Sequence, residues 1–187
     1  MRTRHPRRWT TCLVVATVVG STAGCGGAET TAGPAARKTA AQPRHSAEEE
    51  RAAAKAALAA YAGYLTASRE ASRESNPRHP ALPRFLADPL LTRVRVAIGQ
   101  ARTHGAVRTG TLRSDPTVTS VSLGTVPQTV EIQDCLDATG YRLVYAKDRR
   151  VVPGSGGGRH LATATATRYP DGRWLISSGA AHEDQPC

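Results

Sequence analysis

The sequence predicts an α+β fold in which N-terminal helices pack on a curved antiparallel sheet of four to six strands. Three observations lead to this prediction. Separate segments with helical periodicity lie between residues 46 and 105, apolar and polar residues alternate after residue 105, and short turns rich in glycine and proline separate the alternating segments. The chain of 187 residues has room for one such domain and its appendages.

The first helix is predicted to begin at Ser46, because Ser46 and Glu49 have the spacing of a capping box. The helix is rich in alanine and continues to about residue 72. Tyr61 and Leu65 lie on one of its faces, which we expect to contact the core.

Prolines between residues 73 and 83 prevent this helix from continuing. A helical turn is expected around Phe85, and Asp88 and Pro89 then form an N-cap followed by a proline at the first helical position. Gly105 is expected to end this later helix. Its apolar stripe consists of Leu91, Val94, Ile98 and Ala101.

Six segments in the second half of the chain carry strand patterns. They are residues 107–111, 117–124, 129–135, 141–145, 161–169 and 173–178. In the third segment Val130 and Ile132 are predicted to point inward. Residues 153–158 are expected to form a mobile loop and residues 170–172 a turn.

The N-terminus predicts export from the cytoplasm. Four arginines and no acid precede an apolar stretch from Trp9 to Gly20. This stretch is shorter than the roughly 20 residues that a membrane-spanning helix needs. A basic start, a short apolar run and small residues at its end are typical of a secretory signal peptide. We therefore predict a signal peptide at residues 1–24.

The predicted signal peptide ends with Ala23 and Gly24, directly before Cys25. This Ala-Gly-Cys sequence resembles the lipobox of bacterial lipoproteins, in which a peptidase cuts before the cysteine and the thiol then carries a diacylglycerol. The resemblance implies lipidation of Cys25 and attachment to the extracytoplasmic face of the cell membrane. Three residues before the cysteine, Thr22 stands where that family usually has leucine. The alternative is ordinary cleavage after Ala23, which would give a secreted soluble protein.

Residues 26–45 are rich in glycine, alanine, threonine and proline and lack apolar periodicity. We therefore predict that residues 25–45 hold the lipidated cysteine and a flexible tether, and that residues 46–187 form a single cone-like domain. Of the net charge of +10, the signal peptide carries four units and residues 26–45 two, which leaves +4 for the domain. That charge, with few aromatic residues for stacking on bases, predicts no nucleic-acid partner.

The cysteine count favours lipidation of Cys25 and a disulfide bond within the domain. Cys12 would leave with the signal peptide, and an unpaired cysteine in an exported protein needs an explanation. Lipidation of Cys25 would leave Cys135 and Cys187 as a pair. We predict a disulfide bond between them, since export places the domain where disulfides can form. Two free thiols are the alternative.

The order of a long first helix, shorter helices and a run of antiparallel strands resembles the cone-shaped fold of the nuclear transport factor two superfamily. Exported lipoproteins of high-GC Gram-positive bacteria include many such domains. Similar features here are the Asp-Cys-x-Asp segment at residues 134–137, the strand ending in residues 173–175, and the terminal Cys187. The resemblance covers residues 46–187 and implies a cavity between sheet and helices. Some members are isomerases, cyclases or dehydratases, and others only bind ligands or partners.

One acid/base set follows from this resemblance. Asp134 or Asp137, if buried in the cavity, would have a raised pKa and act as a general base, with His160 as an alternative base. Tyr61, Tyr141 or Tyr145 would donate a hydrogen bond to a developing oxyanion. The structural alternative places the aspartates at a strand end and turn and the tyrosines in the core.

The sequence contains no zinc-ligand spacing, nucleophile elbow or Walker motif, so we expect no metal and no cofactor. Our first hypothesis is a non-enzymatic, lipid-anchored domain that binds a small apolar ligand or an envelope protein. The second is a cone-fold isomerase-, cyclase- or dehydratase-like enzyme that uses Asp134, Asp137, Tyr141 or His160. A third is an envelope scaffold that dimerises through the outer face of its sheet.

Overall fold

The computed structural model describes residues 45–187, in which three helices precede six strands. This arrangement confirms the predicted α+β class. The predicted signal peptide, Cys25 and almost all of the tether lie at residues 1–44, outside the described residues. Within residues 45–187, no helix is both long enough and apolar enough to cross a membrane.

Helix α1 (Ala47–Arg73) begins with the predicted capping box. The Glu49 backbone N–H donates to the Ser46 hydroxyl over 3.2 Å, and the Ser46 N–H donates to the Glu49 carboxylate over 2.7 Å. These bonds satisfy two donors that the start of a helix otherwise leaves unpaired. The buried face of α1 consists of Ala53, Ala57, Ala60, Tyr61, Ala67 and Ala71.

Helix α2 (Leu82–Phe85) is one turn long, and helix α3 spans Leu90–Thr103. The expected N-cap of α3 is displaced by one position, because α3 begins at Leu90 and Pro89 occupies the cap. Asp88 still stabilises this end, since its carboxylate accepts from the Thr92 N–H over 3.1 Å and from the Thr92 hydroxyl over 2.6 Å.

The six strands form two antiparallel sheets. They are β1 (Ala106–Gly110), β2 (Pro116–Ser122), β3 (Thr129–Asp137), β4 (Tyr141–Tyr145), β5 (Arg159–Arg168) and β6 (Trp174–His182). The large sheet has the order β2-β3-β5-β6, and β1 pairs with β4 in a small sheet. The strand count and the antiparallel pairing therefore agree with the prediction, and the strands divide between two sheets.

The backbone at the C-terminal end of β1 lies close to the backbone at the start of β4. Gly110 pairs with Tyr141 and has a φ of +104°, in the region that favours glycine. A Cβ atom at this position would collide with the carbonyl oxygen of Gly140. The small sheet thus depends on a glycine at the end of β1.

The core lies between α1 and the inner face of the large sheet. Val130 and Ile132 point inward as predicted and are no more than 2% exposed. Ala164 and Ala166 of β5 belong to the same buried cluster as the alanines of α1. Small residues on both surfaces let helix and sheet approach closely.

Candidate functional site

Asp134 lies on the inner face of β3, on the same side as Val130 and Ile132, and is 1% exposed. Its carboxylate accepts three hydrogen bonds. The Tyr61 hydroxyl donates over 2.9 Å, the Ser114 hydroxyl over 2.7 Å, and the Asp115 backbone N–H over 2.7 Å. Asp134 therefore connects α1, β3 and the segment between β1 and β2.

These contacts define what the Asp134 group can do chemically. Burial, reinforced by the nearby Asp134 carboxylate, raises the pKa of Tyr61 far above its ordinary value, so Tyr61 remains a protonated donor. A general base needs a free lone pair directed at the substrate. Both Asp134 oxygens are already bonded to protein donors, which favours a structural role for this residue.

The other predicted catalytic residues occupy different surroundings. Asp137 accepts from the Thr139 N–H over 3.0 Å at the end of β3, and this bond lowers the pKa of the carboxyl group. His160 is buried on the inner face of β5, with Nδ1 3.2 Å from the Gly158 carbonyl oxygen. Tyr141 belongs to the small sheet. The structure thus joins Asp134 to Tyr61 and places Asp137 and Tyr141 elsewhere.

A disulfide bond joins Cys135 to Cys187, as predicted. Their Cα atoms are 5.8 Å apart, within the usual range for a disulfide. The Leu161 N–H also donates to the Gln185 carbonyl oxygen over 2.9 Å. These two links hold the C-terminal segment against β3 and β5.

Within residues 45–187, a concave surface lies between α3 and the small sheet, and we call it the α3 cleft. Its volume is about 740 Å³, within the roughly 300–1,000 Å³ typical of small-molecule sites. Gln100 and His104 supply polar groups from α3. The apolar and aromatic part of the lining comprises Ala97, Ile98, Ala101, Ala106, Leu143, Tyr145 and Val152.

Sequence alternation explains the floor of the α3 cleft. Ala106 pairs with Tyr145 and Arg108 pairs with Leu143, and directly paired residues in antiparallel strands share a face. One face of the small sheet therefore presents an apolar surface that ends in the cation of Arg108. Of the predicted acid/base set, Tyr145 lines this cleft, and the lining does not include Asp134, Asp137, Tyr141 or His160.

A second pocket of about 210 Å³ adjoins the cleft at Arg108, which lines both spaces. Arg69 and Arg73 of α1 also line it, and we call these three residues the arginine rim. The Arg108 guanidinium carbon lies 5.6 Å from the centre of the Tyr141 ring, within cation–π distance. Burial raises the pKa of Tyr141, and a hydrogen bond with Ser72 and the charges of Arg108 and Arg69 oppose this rise.

Comparisons with known proteins give the chain no family. No protein-family model matches it, and no curated protein matches it. Among solved structures it is similar to the crystal structure of the intermembrane space region of chloroplast protein ARC6, with 19% sequence identity and a TM-score of 0.44. That alignment covers 74% of this chain and 98% of the other. Similarity at this level carries no argument about function.

Proposed function

We propose that this protein is a lipid-anchored, extracytoplasmic binding protein whose single domain holds a small apolar ligand in the α3 cleft. The observation that carries the proposal is the cleft itself. It combines the volume of a small-molecule site with a mainly apolar lining and a few polar groups. The proposal does not depend on the resemblance to the nuclear transport factor two superfamily, which stays a prediction.

The proposed anchor rests on the sequence around Cys25. A single acyl chain binds a membrane only marginally, whereas two or more chains give stable attachment. Metabolic labelling with a fatty-acid analogue should therefore mark the wild-type chain and leave Cys25→Ala unmarked. Equal labelling of both chains would reject Cys25 as the attachment site.

The ligand-binding proposal is tested with N-phenyl-1-naphthylamine, a neutral apolar dye that fluoresces when it leaves water. The full chain with Cys25→Ala should bind this dye. In that background Ala101→Trp, which places a large ring in the α3 cleft, should lower the bound fluorescence at least tenfold. Val96→Trp is the matched control, because Val96 is on the same helix, is 51% exposed and does not line the cleft. Equal dye binding by both tryptophan variants would contradict the proposal.

The second candidate is the cone-fold enzyme, and the Tyr61–Asp134 pair is the observation in its favour. The pocket beside Tyr61 has a volume of about 100 Å³, below the range of small-molecule sites. The carboxylate of Asp134, which would act as the base, also accepts three hydrogen bonds from protein donors, and these involve both of its oxygens. These two features place the enzyme second to the binding protein.

A further inference from the structure

We propose that the ligand of the α3 cleft is a single-chain amphiphile with an anionic head group, and that the arginine rim binds that head group. This inference rests on the proposed binding function and names the ligand class. Its apolar chain would lie on Ile98 and Leu143, and its carboxylate or phosphate would lie beside Arg108.

The first argument is an excess of positive charge at the rim. Arg69 and Arg73 are one turn apart on α1, a spacing at which like charges destabilise a helix. Arg108 adds a third cation from β1. Glu70 lines the same pocket, and Glu74 lies 4.0 Å from Arg73.

The remaining two cations have no such partner within the part of the chain that the structure describes. There, no carboxylate lies within 4.0 Å of the guanidinium group of Arg69 or Arg108. Arg69, Arg73 and Arg108 are all exposed to solvent, so a ligand anion can reach them.

The second argument is the position of Arg108 at the junction of the two spaces. On one side its neighbours are the apolar residues of the α3 cleft, and on the other they are Arg69, Thr66 and Tyr141. The cation–π contact with the Tyr141 ring favours this position of the guanidinium group. An arginine fork can then bind two oxygens of one carboxylate or phosphate.

The size and polarity of the α3 cleft and the adjoining pocket match this ligand class. A mainly apolar cleft of about 740 Å³ and a pocket of about 210 Å³ lined by three arginines share Arg108, and together they have the polarity of an amphiphile with one chain and one charged end. A neutral apolar ligand would fill the cleft and make no ionic contact with Arg69 or Arg108.

The test uses displacement of N-phenyl-1-naphthylamine from the full chain with Cys25→Ala. The competitors are dodecanoate, dodecyl phosphate and dodecanol, which share the chain and differ in the head group. At least one anion should displace the dye at a concentration tenfold or more below that of dodecanol. The more effective anion identifies the head group as carboxylate or phosphate.

Substitutions then test whether Arg108 and Arg69 bind the anionic head group. Arg108→Gln and Arg69→Gln should each raise the concentration of the preferred anion needed for displacement about tenfold, with dodecanol unaffected. Arg102→Gln is the matched control, because Arg102 lies in the last turn of α3 and does not line either pocket.

The outcomes separate the two proposals. Equal displacement by all three competitors, or an equal effect of Arg102→Gln, would overturn the anionic ligand and leave the apolar site intact. A wild-type cleft that binds neither the dye nor any of the three amphiphiles, measured directly by calorimetry, would overturn both proposals.

Discussion

Replacement of Asp134 by alanine tests whether this buried carboxylate is structural. It removes the acceptor of three hydrogen bonds, from the Tyr61 hydroxyl, the Ser114 hydroxyl and the Asp115 N–H. The side chain is 1% exposed, so water does not readily replace the lost acceptor. The Tyr61 hydroxyl would be left as an unpaired donor beneath the sheet.

The magnitude follows from the individual bonds. A hydrogen bond to a charged group contributes about 1.5–3 kcal/mol, so three bonds at the lower value give about 4.5 kcal/mol. Relief of the cost of burying a charge offsets part of this sum. We therefore expect Asp134→Ala to lower the free energy of unfolding by about 3 kcal/mol. Tyr61→Phe removes one bond and should cost about 1.5 kcal/mol.

Urea unfolding with the disulfide bond intact measures these differences at constant slope. The double variant Tyr61→Phe/Asp134→Ala should cost less than the sum of the single variants, since both remove the same bond. Strict additivity, or a loss below about 1 kcal/mol in Asp134→Ala, would refute the structural role and bring back the catalytic one. Should Asp134→Ala fail to fold, Tyr61→Phe and Ser114→Ala still measure two of the bonds separately.

Two further predictions concern the ends of the domain. Cys135→Ser/Cys187→Ser opens a loop of sequence separation 52 and should lower the free energy of unfolding by about 4 kcal/mol, and an unchanged urea midpoint would show that the bridge does not stabilise the fold. Ser46→Ala removes the N-cap of α1 and should cost about 1 kcal/mol at neutral pH. Bonds with Ser46 lower the pKa of Glu49, so this carboxylate stabilises the folded state above its ordinary value of 4.5 and ceases to do so as the pH falls below that value. Glu49→Ala removes the titrating group, so its cost in urea unfolding should shrink at acid pH, and an undiminished cost would contradict the capping box.

The sequence predicted the starts of the helices well, because each start depends on contacts between residues a few positions apart. The capping box at Ser46 depends on residues three positions apart, and it forms as expected. The later helix was predicted one residue too early, because Asp88 bonds to Thr92 from outside the helix while Pro89 takes the cap. These effects act within one or two turns of chain.

Strand pairing was beyond the reach of such signals. β1 and β4 each show alternation, but nothing in either segment indicates that they pair with each other and leave the large sheet. The α3 cleft follows from that pairing, which is why neither the cleft nor the role of Arg108 was predicted. The spacing of Arg69 and Arg73 on one helix face was the available signal for the arginine rim.

The alternation of inward and outward residues along β3 could have separated Asp134 from Asp137, but the sequence prediction did not use it. Val130 and Ile132 were predicted to face inward, and the same period of two places Asp134 inward and Asp137 outward. What alternation could not give is the identity of the three donors on Asp134. Two of them come from the segment before β2, a connection whose path depends on the whole sheet.

The low aromatic content, 4% of the chain, explains where the domain leaves room for a ligand. Alanines on α1 and on β5 bring helix and large sheet together, and the pocket beside Tyr61 shrinks to about 100 Å³. A cavity between sheet and helices, which the cone-fold resemblance implies, would need larger side chains to hold the two layers apart. The small sheet contacts α1 through β1, and between this sheet and α3 a space of about 740 Å³ remains, which Ile98 and Ala101 line from α3. Binding is therefore best sought at the small sheet, where close packing does not close the site.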